Sequence, residues 1–122
     1  MDNRDIASEF LRMCARGDVR EAYARFVADD FVHHNAWFAG DRKSLLLAME
    51  QSAAAEPNKS FEVKQVIDGG DRVAVLSHLV RADAQLEYAV VHIVRIEGGR
   101  IVELWDVGQE IPKDSPNANG MF

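Results

Sequence analysis

Four histidines, His33, His34, His78 and His92, carry most of the chemistry open to this chain. Imidazole titrates near neutral pH, so each could move a proton. Two of them lie in an aromatic-rich run, Asp29-Asp30-Phe31-Val32-His33-His34-Asn35-Ala36-Trp37-Phe38. There His34 and Asn35 could act as a base and an orienting amide, or could be ordinary turn chemistry. His33 falls on the opposite side of an extended segment from His34 and reads as a surface residue. His92 could be a general acid or base, or a hydrogen-bonded wall of a pocket. His78 reads as a structural or binding residue rather than a proton carrier. A catalytic zinc centre built from His34, His78 and His92 is not supported, because no two of them sit at i, i+2 or i, i+4. The single cysteine, Cys14, can form no internal disulfide.

These residues need elements to hold them, and the apolar spacing changes once, near Pro57. Before it the spacing is helical. Ile6, Phe10, Met13 and Cys14 make one stripe, which Gly17 ends. On that stripe Cys14 reads as core. Asp18 can cap a second helix with Val19, Tyr23, Phe26 and Val27 on its apolar face, and Asp41 a third with Leu45, Leu46 and Met49. After Pro57 the pattern is strand and turn. Phe61, Val63, Gln65 and Ile67 alternate with Glu62, Lys64 and Val66, and Asp68-Gly69-Gly70-Asp71 reads as a turn. Arg72 to Arg81, Leu86 to Glu97 and Arg100 to Gly108 read as strands, and Pro112 to Phe122 as a loop-like tail. Met121 and Phe122 could fold over a pocket or onto a partner subunit. Helices followed by an antiparallel meander predict an α+β domain spanning 1–122, with helices on one face of a sheet.

Turn geometry sorts the polar residues onto faces. Gly98-Gly99 predicts a two-residue type I′ turn. A regular ladder from that turn sets His92 opposite Trp105 and Tyr88 opposite Gln109. One face then carries Tyr88, His92, Trp105 and Gln109 and could line a pocket, while Arg95, Leu104 and Asp106 fall on the other. Unless Gly108 marks a bulge, Asp106 stays on that other face and reads as a partner of Arg95 or as an interface residue, not as catalytic. The connection around Asp83-Ala84-Gln85 decides the face of His78. An odd-length loop would put it beside His92, and that is the expected placement.

Composition narrows the partners. The chain has 122 residues, 48% hydrophobic and 28% charged, a globular balance. A domain of this size buries roughly two-thirds of its unfolded surface and needs no metal or disulfide to fold. With 14 Lys plus Arg against 20 Asp plus Glu, the net charge of −6 argues against nucleic acid and against an anionic membrane surface. No apolar run approaches the ~18 residues of a membrane span, and the polar start reads as cytoplasmic.

Three stretches resemble the SnoaL-like polyketide cyclases of the NTF2-like superfamily, in a branch described as predicted aldol-condensation enzymes. Phe31-Val32-His33-His34-Asn35 is similar to the branch's aromatic-x-Gln-His-Asn segment. The run from His92 to Gln109 resembles an Asp-Ile-Phe-Arg stretch followed by Gly-Lys-Ile-Val-Glu-His-Trp-Asp-x-x-Gln. Asn117-Ala118-Asn119-Gly120-Met121-Phe122 looks like the branch's usual ending. The resemblance implies an NTF2-like, cystatin-like cone, with three N-terminal helices packed on a curved antiparallel sheet and a deep pocket at one end. It also implies a homodimer packed sheet to sheet. In the related ketosteroid isomerases an enolate-stabilising carboxylic acid lies three residues before an Arg; carried over through Arg95, that place is His92. An acid/base Asp of the cyclases follows the Trp by four residues, where this chain has Gln109.

The reading that results is a cofactor-independent enzyme acting on a small apolar or aromatic carbonyl compound, by aldol cyclisation or isomerisation, a lyase- or isomerase-type reaction. His34 and His92 are its candidate catalytic residues. Asn35, His78, Tyr88, Trp105 and Gln109 are its candidate substrate-binding residues, and no metal is involved. His92 and Gln109 stand where the family has carboxylic acids. That favours the rival reading, a non-catalytic small-molecule-binding or dimerisation module of the same fold.

Overall fold

The computed structural model describes residues 1–81 and 86–122. Three helices come first: α1 (Asn3–Ala15), α2 (Val19–Phe26) and, after an intervening strand, α3 (Arg42–Ala55). The strands are β1 (Val27–His34), β2 (Ser60–Asp68), β3 (Arg72–Val80), β4 (Glu87–Glu97) and β5 (Arg100–Glu110). They form one sheet in the order β1-β5-β4-β3-β2, antiparallel except where β1 runs parallel to β5. This is the expected α+β class, with the helices on one face of the sheet.

The helices form where the stripes and caps place them. Asp2 caps α1 by accepting from the Asp5 amide at 2.9 Å, and the stripe Ile6, Phe10, Met13 and Cys14 is buried. Gly17 ends the helix at φ +100°. Asp18 sits at the N-cap of α2 without capping it through its side chain, which instead meets Arg16 at 2.7 Å. Asp41 does cap α3, accepting from the Ser44 amide at 3.1 Å. The core lies between these helices and the inner sheet face, where Phe10, Tyr23, Leu45, Val73, Val75, Val94, Ile101 and Leu104 are buried. Among the described residues no helix is long and apolar enough to cross a membrane.

The sheet departs from a regular ladder in ways that decide the site. Gly98 and Gly99, at φ +57° and +78°, make the expected tight turn. Ile96 pairs with Ile101, but Arg95 then pairs with Glu103, leaving Val102 as a bulge. One extra residue reverses the face of everything beyond it on β5. His92 is therefore opposite Asp106, and Trp105 is opposite Ile93. A second bulge between Val63 and Gln65 turns Val66 inward and leaves Ile67 60% exposed, contrary to the simple alternation.

β3 and β4 set a third parity. Val80 pairs with Glu87, which leaves an even number of residues between them, so His78 pairs with Ala89 and Val75 with His92. His78 thus lies on the outer face, not beside His92. The link around Asp83-Ala84-Gln85 lies outside the described residues. The run from Asp29 to Phe38, expected only as an unusual segment, supplies most of the edge strand β1, whose first residue, Val27, was expected on the second helix instead. The strand's register shifts between Val27 and Val32, which hides the alternation.

Candidate functional site

On the inner face, β4 and β5 bring a histidine and a carboxylate together. His92 Nε2 is 3.4 Å from Asp106 Oδ1. The other carboxylate oxygen, Oδ2, accepts from Asn35 Nδ2 at 2.8 Å, and Asn35 Oδ1 accepts from the Trp37 amide at 3.0 Å. Asn35 is placed by its neighbour. His33 is buried, donates from Nε2 to the Ala39 carbonyl at 2.6 Å, and accepts from the Asn35 amide at Nδ1. His33 is thus an internal brace of the loop after β1, where a surface residue was expected.

His92 is 7% exposed, and its Nδ1 is buried without a hydrogen-bond partner among the described residues. Burial pushes its pKa below the usual imidazole range, and the Asp106 charge pulls it partly back. At neutral pH the ring is neutral. A carboxylate at Nε2 favours the tautomer with the proton there, which leaves the lone pair on Nδ1. A buried neutral imidazole held in that tautomer is a competent proton acceptor.

His92 borders two neighbouring spaces, and Asp106 borders the wider of them. An apolar hollow of about 130 Å³ is walled by Leu11, Cys14, Met49, Phe61, Leu79 and His92. It shares Ser52, Lys59, Phe61, Leu79 and His92 with a wider cleft of about 570 Å³, which Asn35, Trp37, Tyr88 and Asp106 also line. Burial pushes the Cys14 thiol up to about 12. Lys59 donates to Ser52 Oγ at 2.8 Å, and burial lowers its pKa.

The structure brings together His92, Asn35 and Tyr88 of the expected site residues. The others lie on the outer face, away from His92. His34 stacks on Trp105, rings 5.0 Å apart and 9° from parallel, and its Nε2 meets Glu103 Oε2 at 2.6 Å. Glu103 also accepts from Arg95 at 3.1 Å, and these partners, His34 foremost, hold its carboxyl below the usual range. His78 meets Glu87 at 2.7 Å and packs on Phe122 of the tail at 4.7 Å. Gln109 pairs with Ala89 on the outer face. Among the described residues no three His, Cys, Asp or Glu side chains cluster as a metal would require. Asp106 and Lys59 are the polar residues that sequence reasoning missed. The one signal for Asp106 was its place directly after Trp105; Lys59, on a short link, gave none.

Solved structures with this fold are numerous. IdmH, a proposed polyketide cyclase from Streptomyces antibioticus, matches with a TM-score of 0.75 at 21% identity, covering 88% of this chain and 93% of that one. A cystatin-fold protein from Novosphingobium aromaticivorans matches with a TM-score of 0.73 at 18% identity, covering 88% and 98%. An NTF2-like protein of unknown function from Cytophaga hutchinsonii matches with a TM-score of 0.72 at 15% identity, covering 89% and 91%. A search of curated proteins found no match. The model of the SnoaL-like domain matches residues 7–104. The chain belongs to the SnoaL-like domain family, on an NTF2-like fold.

Proposed function

We propose that this protein binds a small, largely apolar carbonyl compound in the inner-face pocket and moves a proton on it without a cofactor. The observation that carries the reading is the His92–Asp106 pair lining the cleft, with His92 walling the hollow as well. On binding, the ligand displaces the side chains that cover His92 Nδ1, and Nδ1 takes the proton α to the carbonyl; the imidazolium that forms is held by Asp106. The enolate then either attacks a second carbonyl of the same molecule, the resulting alkoxide taking the proton back, or is reprotonated at another carbon. The first course is an aldol cyclisation and the second an isomerisation. The solved relative IdmH, proposed to be a polyketide cyclase, is compatible with either. Asn35 orients Asp106, and Tyr88 lines the cleft.

The homodimer belongs to the same proposal. Its support is the outer sheet face, where Val91 and Val107 are 36% and 68% exposed beside Trp105.

The test is proton exchange in deuterated water, followed by NMR, at the methylene of an aromatic 1,3-diketone such as 1-phenylbutane-1,3-dione. The wild type should exchange it faster than buffer, and His92→Gln should lose roughly 10²-fold or more of that rate. Binding of the diketone with equal exchange by both proteins would leave the non-catalytic binding module as the correct reading.

A further inference from the structure

Lys59 stands out among the pocket's polar residues. It lies on the link between α3 and β2 and lines both the hollow and the cleft, as His92 does. It is half-buried among Leu79, Phe61 and Met49, an expensive place for an ammonium group. Its side-chain hydrogen bond goes to a neutral hydroxyl, Ser52 Oγ. The carboxylate that bears on its charge, Glu56, is bound by Arg81 through two contacts of 2.8 Å. Among the described residues Glu56 offsets the charge of Arg81, and the charge of Lys59 adds a second positive charge beside the apolar wall. The same cleft is lined by the Asp106 carboxylate, on β5 and held by Asn35 and His92. The pocket is thus polarised, cationic at Lys59 and anionic at Asp106.

Building on the reading of this pocket as a ligand site, we propose that Lys59 binds an anionic oxygen of the ligand. The ligand is then an apolar body with a carboxylate or comparable oxyanion at one end. Asp106 repels that end, so the molecule enters with its anion at Lys59 and its reacting carbon toward His92. A charge-assisted hydrogen bond in a partly dry site is among the stronger single contacts available to a small ligand. The groups that bear on the Lys59 charge are Glu56, which favours it, Arg81, which opposes it, and the neutral Cys14 thiol.

The test uses two fluorescent probes that share one ring system, anionic 8-anilinonaphthalene-1-sulfonate and neutral N-phenyl-1-naphthylamine, titrated into the full chain. Lys59→Met should weaken the sulfonate probe roughly tenfold or more and leave the neutral probe within about twofold. Lys59→Arg should keep both. Equal loss of both probes in Lys59→Met, or loss of neither, overturns the assignment to Lys59 while the pocket stands as a ligand site. Failure of both probes to bind the wild type overturns the pocket reading as well.

Discussion

His92 and Asp106 face each other across β4 and β5 only because Val102 is a bulge. Without that extra residue the histidine would meet Trp105, and the carboxylate would point to the outer face. The proposed proton-transfer site therefore depends on a backbone irregularity three residues from the turn. Bulges commonly re-aim side chains in this way.

Face assignment can be tested through stability. Leu104 is fully buried on the bulged register, whereas Val107 is 68% exposed. At a protein concentration low enough to keep the chain monomeric, Leu104→Ala should cost about 2–5 kcal/mol, and Val107→Ser should change stability by less than about 0.5 kcal/mol. Urea unfolding of both variants measures this. Comparable effects would contradict the register.

The Cys14 thiol should be nearly inert. With its pKa pushed up to about 12, the thiolate is scarce at pH 8. Alkylation by iodoacetamide in the native protein should be more than about a hundredfold slower than for free cysteine. Mass spectrometry follows the labelling. A rate near that of the free thiol would mean that the hollow is open to solvent at α1.

Acidification should weaken the fold, with a part assignable to His92. Its folded pKa lies below the ordinary 6.5. As the pH falls, the unfolded chain takes up the proton first, so the stability present above about pH 6.5 is lost as the pH falls through the folded value. Glu103, held below its usual 4.5, adds a second loss at more acidic pH with the same sign. Denaturant unfolding at pH 7.5 and 5.5 should show a smaller drop for His92→Gln than for the wild type. Equal drops would remove His92 from the account.

Much of the fold was legible because periodicity and caps are local signals. The Ile6, Phe10, Met13, Cys14 stripe, the Asp41 cap and the Gly98-Gly99 turn all stand where the residues imply. The site was less legible because it depends on strand parity, and parity rests on single residues. Val102 and the Val63/Gln65 bulge carry no glycine or proline to mark them. The pairing of Val80 with Glu87 put His78 on the outer face. His33 and His34 exchanged expected places for a similar reason, since β1 sets His33 level with buried Leu104 and His34 level with Trp105. Trp105 and Gln109 went outward and Asp106 inward in one step.

The proposed mechanism requires that burial keep His92 neutral and that Asp106 hold its proton on Nε2, leaving Nδ1 as the base. Nitrogen-15 NMR of the histidine rings, titrated in the wild type and in Asp106→Asn, tests it most directly. The wild type should show a neutral His92 at pH 7, protonated on Nε2, with a pKa below 6.5 that falls further in Asp106→Asn, where the charge favouring the cation is gone. A proton on Nδ1, or a His92 still charged at pH 7, would contradict the account.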